Sequence, residues 1–541
     1  MPGQGFPGVA ASKAWRTACS SSAEKEPPLP TLARILVGCG LASAVAACGP
    51  SEEPSPSPVA SLEQAVTTPP SQRNRIGVYN WGVDTTSWNA GLGDQLNWGA
   101  GKVAAAGSRT IRVYVGVLDV YHLNGGANFS SMLAAAQSAP YKQLFGSPNF
   151  DTYFLTAYTA ADNGGLNGAG TWTTGYTQAQ QEAETAEISA LASWLVTQYS
   201  NKTFIFMNWE GDNAMHPADG GTYSWGGFQS WMQSRVTGVR QAQAAHSASA
   251  SHLAAGLEFN YTRFPSGGGF TTCGSCSQST ACVVSCVAPN VAADFFSYSS
   301  YQSFGISTPD SHVASQLESD LSSALSSIQK GQPSVQRNQL MLGEFGMARE
   351  VSQWDPSSSV HGECETTQRL SSVISALESW GASYGIYWQV IDNPAPDGPW
   401  TGFGLYKYDG TVGLSQRMLG NLYSTGVPTV PSAACDSVNQ GGVVNALNYG
   451  THIPQGSIIS IFGAGESGHN EDVVHLWANG ARYTIRSGSP SWYDGCGSQN
   501  PPQCQINATL PSGVVTKEAA VYVSDSTGVD TDAQLIVISP N

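Results

Sequence analysis

From Ile76 to Val390, eight short β-rich runs alternate with amphipathic helical stretches, and no other feature restricts the fold of this chain as tightly. The runs are Ile76–Trp81, Thr110–Gly116, Tyr153–Ala160, Thr203–Asn208, Leu253–Tyr261, Phe295–Tyr301, Leu340–Gly346 and Tyr384–Val390. Between them apolar residues recur at helical spacing: Ile188, Leu191 and Leu195; then Val313, Leu317, Leu321, Leu325 and Ile328; then Leu370, Val373, Ile374 and Leu377. Each stripe needs an apolar face to cover, and strand–helix alternation supplies it as a parallel sheet. Eight units fit an α/β fold of the (β/α)8 (TIM) barrel type, over residues 75–428, better than an open doubly wound sheet. In such a barrel the chemistry belongs at the C-terminal ends of the strands.

After about residue 430 the texture changes to short alternating runs between Gly, Pro and Ser turns: Ser457–Phe462, Val473–Trp477, Gln505–Leu510, Ala520–Ser524 and Gln534–Ile538. Without helical periodicity this reads as a β-sandwich over 435–541. The phrases IPQGSIISIFGAG and QINATLPSG resemble the immunoglobulin-like IPT/TIG modules attached to bacterial surface proteins. That resemblance implies a spacer or docking module.

Ahead of the barrel, Arg34 precedes an apolar or small run, Ile35–Ala47, too short to span a bilayer but as long as a signal-peptide core. It ends in Val45-Ala46-Ala47-Cys48-Gly49, which resembles the lipobox of bacterial lipoproteins. The resemblance implies a signal peptide with lipobox over residues 1–48, with Cys48 lipidated and becoming the mature N-terminus. Residues 49–74, rich in Pro, Ser and Glu, bury too little apolar surface to order themselves and read as a tether. The expected address is therefore export, either as a bacterial outer-membrane or cell-surface lipoprotein or as a secreted monomer. Membrane contact is expected through the lipid alone.

Eight cysteines fall in the folded part: Cys273, Cys276, Cys282, Cys286, Cys364, Cys435, Cys496 and Cys504. An even number in an exported chain reads as disulfides. The spacing of the first four would also suit tetrahedral zinc, but an oxidising address and Gly/Ser-rich surroundings favour a stapled loop and no metal. Cys496 and Cys504 flank a Pro-Pro loop and are expected to pair locally, leaving Cys364 and Cys435.

With 23 basic against 39 acidic residues the formal charge is -16, which offers nothing to a phosphate backbone and argues against nucleic acid. Abundant Trp and Tyr among Ser, Thr, Asn and Gln suit neutral polar ligands such as sugars.

Among the acids, Glu210 follows the fourth run in FIFMNWEGDN and Glu344 ends the seventh in LMLGEFG. Two carboxyls are the minimum for cleaving a glycosidic bond, one protonating the leaving oxygen and the other attacking or activating water, with no cofactor. Here the chain resembles the retaining glycoside hydrolases with a (β/α)8 barrel and catalytic glutamates on strands four and seven, which include bacterial cellulases and mannanases. The resemblance implies Glu210 as acid/base, Glu344 as nucleophile, and a β-linked polysaccharide or oligosaccharide as substrate. It further implies Arg112 in TIRVYVG beside the nucleophile, Tyr298 or Tyr301 hydrogen-bonded to it, and Trp388 in YGIYWQVIDN as a sugar platform. Trp209, Asp392 and Asn393 are candidate cleft residues.

One departure stands out. That family has Asn directly before the acid/base, whereas here Asn208 precedes Glu210 by two, with Trp209 between. The two would share a direction if the strand continued to Glu210, whereas a bulge would change this. Glu258 in GLEFNYTRF and Asp84 are reserve acids, and His216 and His361 lack partners at metal-ligand spacing. A catalytically silent carbohydrate-binding or adhesion surface lipoprotein is the competing reading.

Overall fold

In the computed structural model the described residues are 72–81, 94–160, 172, 175–216, 224–266, 269–304, 310–347, 363–391, 402–406 and 412–430, followed by strands and turns within 437–539. Eight parallel strands close into a barrel: β1 (Ile76–Asn80), β2 (Thr110–Gly116), β3 (Thr152–Tyr158), β4 (Thr203–Met207), β5 (Leu253–Phe259), β6 (Phe295–Ser299), β7 (Leu340–Phe345) and β8 (Gly385–Trp388). Closure comes from β1 pairing with β8 in the register Ile76↔Gly385 through Tyr79↔Trp388. Because the strands are covered on both faces, they read as nearly continuous buried runs rather than as alternation.

The long outer helices are α1 (Gln95–Ala106), α2 (Gln178–Gln198), α3 (Trp225–Ala245), α4 (Val313–Ile328), α5 (Glu363–Trp380) and α6 (Leu414–Thr425). Their starts are chemically marked: the Asp94 carboxylate accepts the Asn97 N–H ahead of α1, and Thr177 and Gln180 form a reciprocal cap ahead of α2. Ile188, Leu191 and Leu195 of α2 and Leu370, Val373, Ile374 and Leu377 of α5 are fully buried against the barrel, as their spacing demands. At the end of the segment expected to be a tether, Gln72–Arg75 forms a helical turn. Arg75 donates from Nη2 to the carbonyls of Leu377 and Ala382 at the end of α5, and the Asn74 carbonyl accepts the Thr110 hydroxyl. The expected leader, Cys48 and residues 49–71 of the expected tether lie outside the described residues.

A hairpin of Arg263–Ser266 and Gly269–Thr272 leaves β5 and runs into a loop closed by two disulfides, Cys273–Cys282 and Cys276–Cys286. Those four cysteines are thus a staple, as the sequence suggested. The side chains of Cys364, Cys435, Cys496 and Cys504 lie outside the described residues.

Beyond the barrel are a three-stranded sheet (Ser437–Asn445, Ile458–Ala464, Gln503–Thr509) and a five-stranded sheet (Ile453–Pro454, Val473–Ala478, Ala481–Ile485, Thr516–Ser524, Gln534–Ser539). Ile459 and Ala508 from the first share a core with Val474, Leu476, Val521 and Ile538 from the second. No helix among the described residues is long and apolar enough to cross a membrane.

Candidate functional site

The chain brings one cation and three carboxyl groups to the C-terminal end of the barrel. Arg112, in β2, is fully buried and forks onto Glu258 of β5, with Nη1–Oε2 at 2.6 Å and Nη2–Oε1 at 3.2 Å. Its remaining donors reach Thr156 Oγ1 (2.9 Å) and the carbonyls of Gly343 (2.9 Å) and Asn208 (3.3 Å), while the Tyr79 ring lies 4.5 Å from the guanidinium carbon. Burial alone would disfavour the charge, but the Glu258 carboxylate beside it keeps the guanidinium protonated.

Glu258 has no oxygen to spare. Besides Arg112 it accepts the Ser297 hydroxyl (2.9 Å) and the Glu210 backbone N–H (3.0 Å). On β7, a Cβ at Gly343 would collide with the Glu258 carboxylate and the Ser297 hydroxyl, so the sequence needs glycine there. Glu258 therefore anchors the site rather than facing an incoming molecule.

The β4 exit departs from the sequence expectation. The strand ends at Met207, and Asn208 turns its amide onto the β5 backbone, accepting the Glu258 N–H (2.7 Å) and donating to the Glu258 carbonyl (3.0 Å). A side-chain amide thus extends the β4–β5 ladder by one rung while the chain turns away. Asn208 and Glu210 do not share a direction: Glu210 sits in the left-handed region at φ 43°, a conformation that costs a non-glycine residue about 1–3 kcal/mol. Asn208 is a clamp between strands, and the condition for its sharing a direction with Glu210, a strand running on to Glu210, is not met.

That turn aims Trp209 at the seventh strand. Its Nε1 donates to Glu344 Oε1 at 2.9 Å, its backbone N–H meets the Tyr158 hydroxyl at 3.1 Å, and its ring stacks on Trp81 at 5.3 Å between centroids. Glu344, near the end of β7, also receives Tyr301 Oη (3.3 Å) and Ser299 Oγ (3.4 Å) on Oε2, with Arg112 Nη1 3.7 Å from Oε1. Of the two candidate tyrosines only Tyr301 reaches it. Tyr298 points the other way from its strand neighbour Ser299, stacked on Phe259 with its hydroxyl on Ser303, because successive strand residues face opposite sides, whereas Tyr301 stands beyond the strand in a helical turn. Trp388 packs edge-on to Tyr79 at 5.0 Å and lies 6.0 Å from Trp81.

Glu210 keeps a sparser environment. Asn213 Nδ2 donates to its Oε2 at 3.0 Å, and burial, aided by the Glu258 charge, pushes its carboxyl up to about 7. Burial and the neighbouring Glu258 and Glu210 charges also push Glu344 upward, opposed by Arg112 and the Trp209 N–H. Among the described residues no cluster of His, Cys, Asp and Glu is arranged to hold a metal ion. Asp392 and Asn393 lie outside the described residues.

Sequence reasoning named Glu210, Glu344, Arg112, Trp209 and Tyr301, and the structure brings all five together. It kept Glu258 in reserve and missed Ser299, Ser297 and Asn213. The available signal was polar residues clustered at strand ends, Ser299 closing β6 and Asn213 following Glu210 by three.

Fold and site together define a (β/α)8-barrel protein with a buried cluster of acids around a single arginine at the mouth of the barrel. No protein-family model matches the chain, and no curated protein sequence matches it. Solved structures do match, and they are glycoside hydrolases. One is β-glucuronidase 2 of Bacteroides uniformis, covalently bound to cyclophellitol-6-carboxylate aziridine, at 10% identity and TM-score 0.38, covering 86% of this chain and 46% of that one. Another is an exo-β-1,4-mannosidase from Opitutaceae bacterium strain TAV5, at 14% identity and TM-score 0.41, covering 65% of this chain and 60% of that one. A third is GH5_18 from Streptomyces cattleya in complex with GlcNAc, at 14% identity and TM-score 0.44, covering 69% and 86%. This chain thus spans about half the length of the glucuronidase. Likeness at this level transfers no residue role, so the chemistry has to be argued from the site itself.

Proposed function

We propose that this protein is an exported retaining glycoside hydrolase acting on a β-linked polysaccharide or oligosaccharide, with Glu344 as nucleophile and Glu210 as acid/base. One observation carries the reading: two buried carboxyls at the barrel mouth have unlike partners. Glu344 gathers donors from Trp209, Tyr301 and Ser299 and lies beside Arg112, and the cation and the Trp209 N–H oppose the upward push of burial and of the Glu258 and Glu210 charges. Glu210 takes side-chain hydrogen bonds from Asn213 and Asn260, its carboxyl is lifted to about 7, and we assign it the acid role because the Arg112 guanidinium comes within 3.7 Å of Glu344.

The chemistry follows from that division. A Glu344 oxygen attacks the anomeric carbon as the bond to the leaving oxygen breaks, and the Glu210 proton passes to that oxygen. Water then attacks the glycosyl ester, returning a proton to Glu210 and releasing the Glu344 carboxylate. A sugar hydroxyl in place of water gives transglycosylation. Trp81, Trp209 and Trp388 offer apolar faces for the ring of a neutral sugar. Export, with a lipid at Cys48, rests on the leader sequence.

The test is proton NMR of a digest of β-glycan or aryl β-glycoside by the full chain. The first product should carry the β configuration, and an α product at first sampling would refute double displacement. The pH profile supplies a second check. Glu210 must hold its proton to act as acid, so kcat/KM should fall as pH rises through about 7, and Glu210→Gln should abolish that basic limb. A basic limb that survives in Glu210→Gln would assign it to another group. Trp209→Phe keeps a ring to stack on Trp81 but loses the N–H to Glu344. It should lower kcat by about 10- to 100-fold, the worth of a hydrogen bond to a charged group, with thermal stability nearly unchanged.

A further inference from the structure

Two residues beyond Glu210 lies a carboxylate that the reaction does not use. Asp212 is fully buried and, among the described residues, pairs with no arginine or lysine, yet both its oxygens are occupied by backbone N–H groups from two other segments. Oδ2 accepts from Asn260 (2.7 Å) and Tyr261 (3.0 Å) just beyond β5, and Oδ1 accepts from Val283 (2.7 Å), the residue after Cys282 of the stapled loop. The ties are reciprocated: Asn260 Oδ1 accepts the Asp212 N–H at 3.2 Å, and His216 Nε2 lies 2.7 Å from the Ala281 carbonyl in the same loop. The link back to Glu210 is short. Tyr261 Oη donates to Asn213 Oδ1 (2.9 Å), which fixes the amide whose Nδ2 holds Glu210 Oε2.

We propose that Asp212 is a positioning residue for the acid/base: it joins the Glu210 turn, the β5 exit and the disulfide-stapled loop, and so holds the Glu210 carboxyl where it can protonate a leaving group. This rests on the assignment of Glu210 as acid. The reasoning is conformational. A left-handed glutamate persists only where its surroundings over-determine it, and the segment that follows, Gly211–Met215, is a single helical turn with little stability of its own. Three backbone donors from outside that turn, aimed at one buried carboxylate, supply the missing constraint. Burial pushes the Asp212 carboxyl upward, opposed first by the Val283 N–H, so the loop contact helps keep it ionised. The stapled loop therefore has a mechanistic reason to be rigid: if Val283 moves, one oxygen of Asp212 loses its donor.

Asp212→Asn tests this, since the new NH2 group would face an N–H it cannot accept. Leaving-group dependence separates positioning from plain destabilisation. Hydrolysis of a phenyl β-glycoside needs a placed acid, whereas a 2,4-dinitrophenyl β-glycoside leaves without one. Glucosides, mannosides and glucuronides would be assayed in matched phenyl and dinitrophenyl pairs. For whichever sugar is cleaved, Asp212→Asn should lose about 30-fold or more in kcat/KM on the phenyl substrate and under about threefold on the dinitrophenyl one. Asp294→Asn is the control. It removes a half-buried acid just ahead of β6, at the other end of the barrel, and should lower stability while leaving that ratio unchanged. Equal losses on both substrates, or none on either, would overturn the proposal.

Amide hydrogen exchange needs no substrate. Asp212→Asn should lose protection at Val283 and at Ala214, whose N–H closes the turn onto the Glu210 carbonyl at 3.0 Å. Retained protection at Ala214 would overturn the positioning role. If no glycoside is cleaved by the wild type, the glycosidase assignment fails and only the exchange result speaks to the tether.

Discussion

Glu344→Ala should cut glycosidase activity by about 10⁴-fold or more, and added azide should restore it in a form that identifies the missing group. With the nucleophile gone, the small anion enters from the vacated face and yields the α-glycosyl azide. In Glu210→Ala the glycosyl ester still forms from a substrate with a good leaving group, and azide then attacks it to give the β-glycosyl azide. Opposite anomers from the two variants assign the roles in one experiment. If both variants gave the same anomer, or if Glu344→Ala kept its activity, the proposed roles would be wrong. The Trp209, Tyr301 and Ser299 contacts of Glu344 converge on its carboxylate, so alanine leaves those donors facing a cavity that an anion suits.

The second large effect concerns stability. Arg112→Met should destabilise the barrel by about 3–5 kcal/mol, because it strands the Glu258 carboxylate, fully buried, with no compensating charge. It would also withdraw the cation nearest Glu344 and remove donors from the Gly343 and Asn208 carbonyls. Removing both charges together, in Arg112→Met with Glu258→Met, should recover most of that stability, since replacing a buried ion pair by apolar groups is close to neutral. Activity should not return, because Glu258 also orients the Glu210 N–H. Denaturant unfolding of the single and double variants measures the coupling. A single variant as stable as the wild type would mean that the pair carries no such load.

Much of the architecture was legible before any coordinates. All eight barrel strands fall where the β-rich runs stand, Thr110–Gly116 to the residue, and the stripes of α2, α4 and α5 face the barrel. The reason is that burial on a strand or helix repeats at a local period, and a local period is written in neighbouring residues. The errors sit at strand ends. The run that was expected to reach Asn208 stops at Met207, and a side-chain amide takes over the pairing, which no periodicity encodes. In the C-terminal part the strands Ser437–Asn445 and Ala481–Ile485 escaped notice because glycines and charged residues interrupt their alternation.

The candidate site divides along the same line. Glu210 and Glu344 were found by counting strands, and a stapled loop by counting cysteines, but four cysteines allow three pairings and only the coordinates chose Cys273–Cys282 with Cys276–Cys286. Tyr301 rather than Tyr298, the Trp209 N–H on Glu344, and the claim of Arg112 on Glu258 before Glu344 are all decided by distances between residues far apart in the chain. By itself the sequence determined the order of the elements, the faces they bury and which acids stand at strand ends, because those follow from short-range pattern and chain order. Tertiary structure decided which carboxylate is tied to the arginine and which donors each of the others meets, because the surroundings of a buried charge are set by neighbours that only barrel closure brings within a few ångströms.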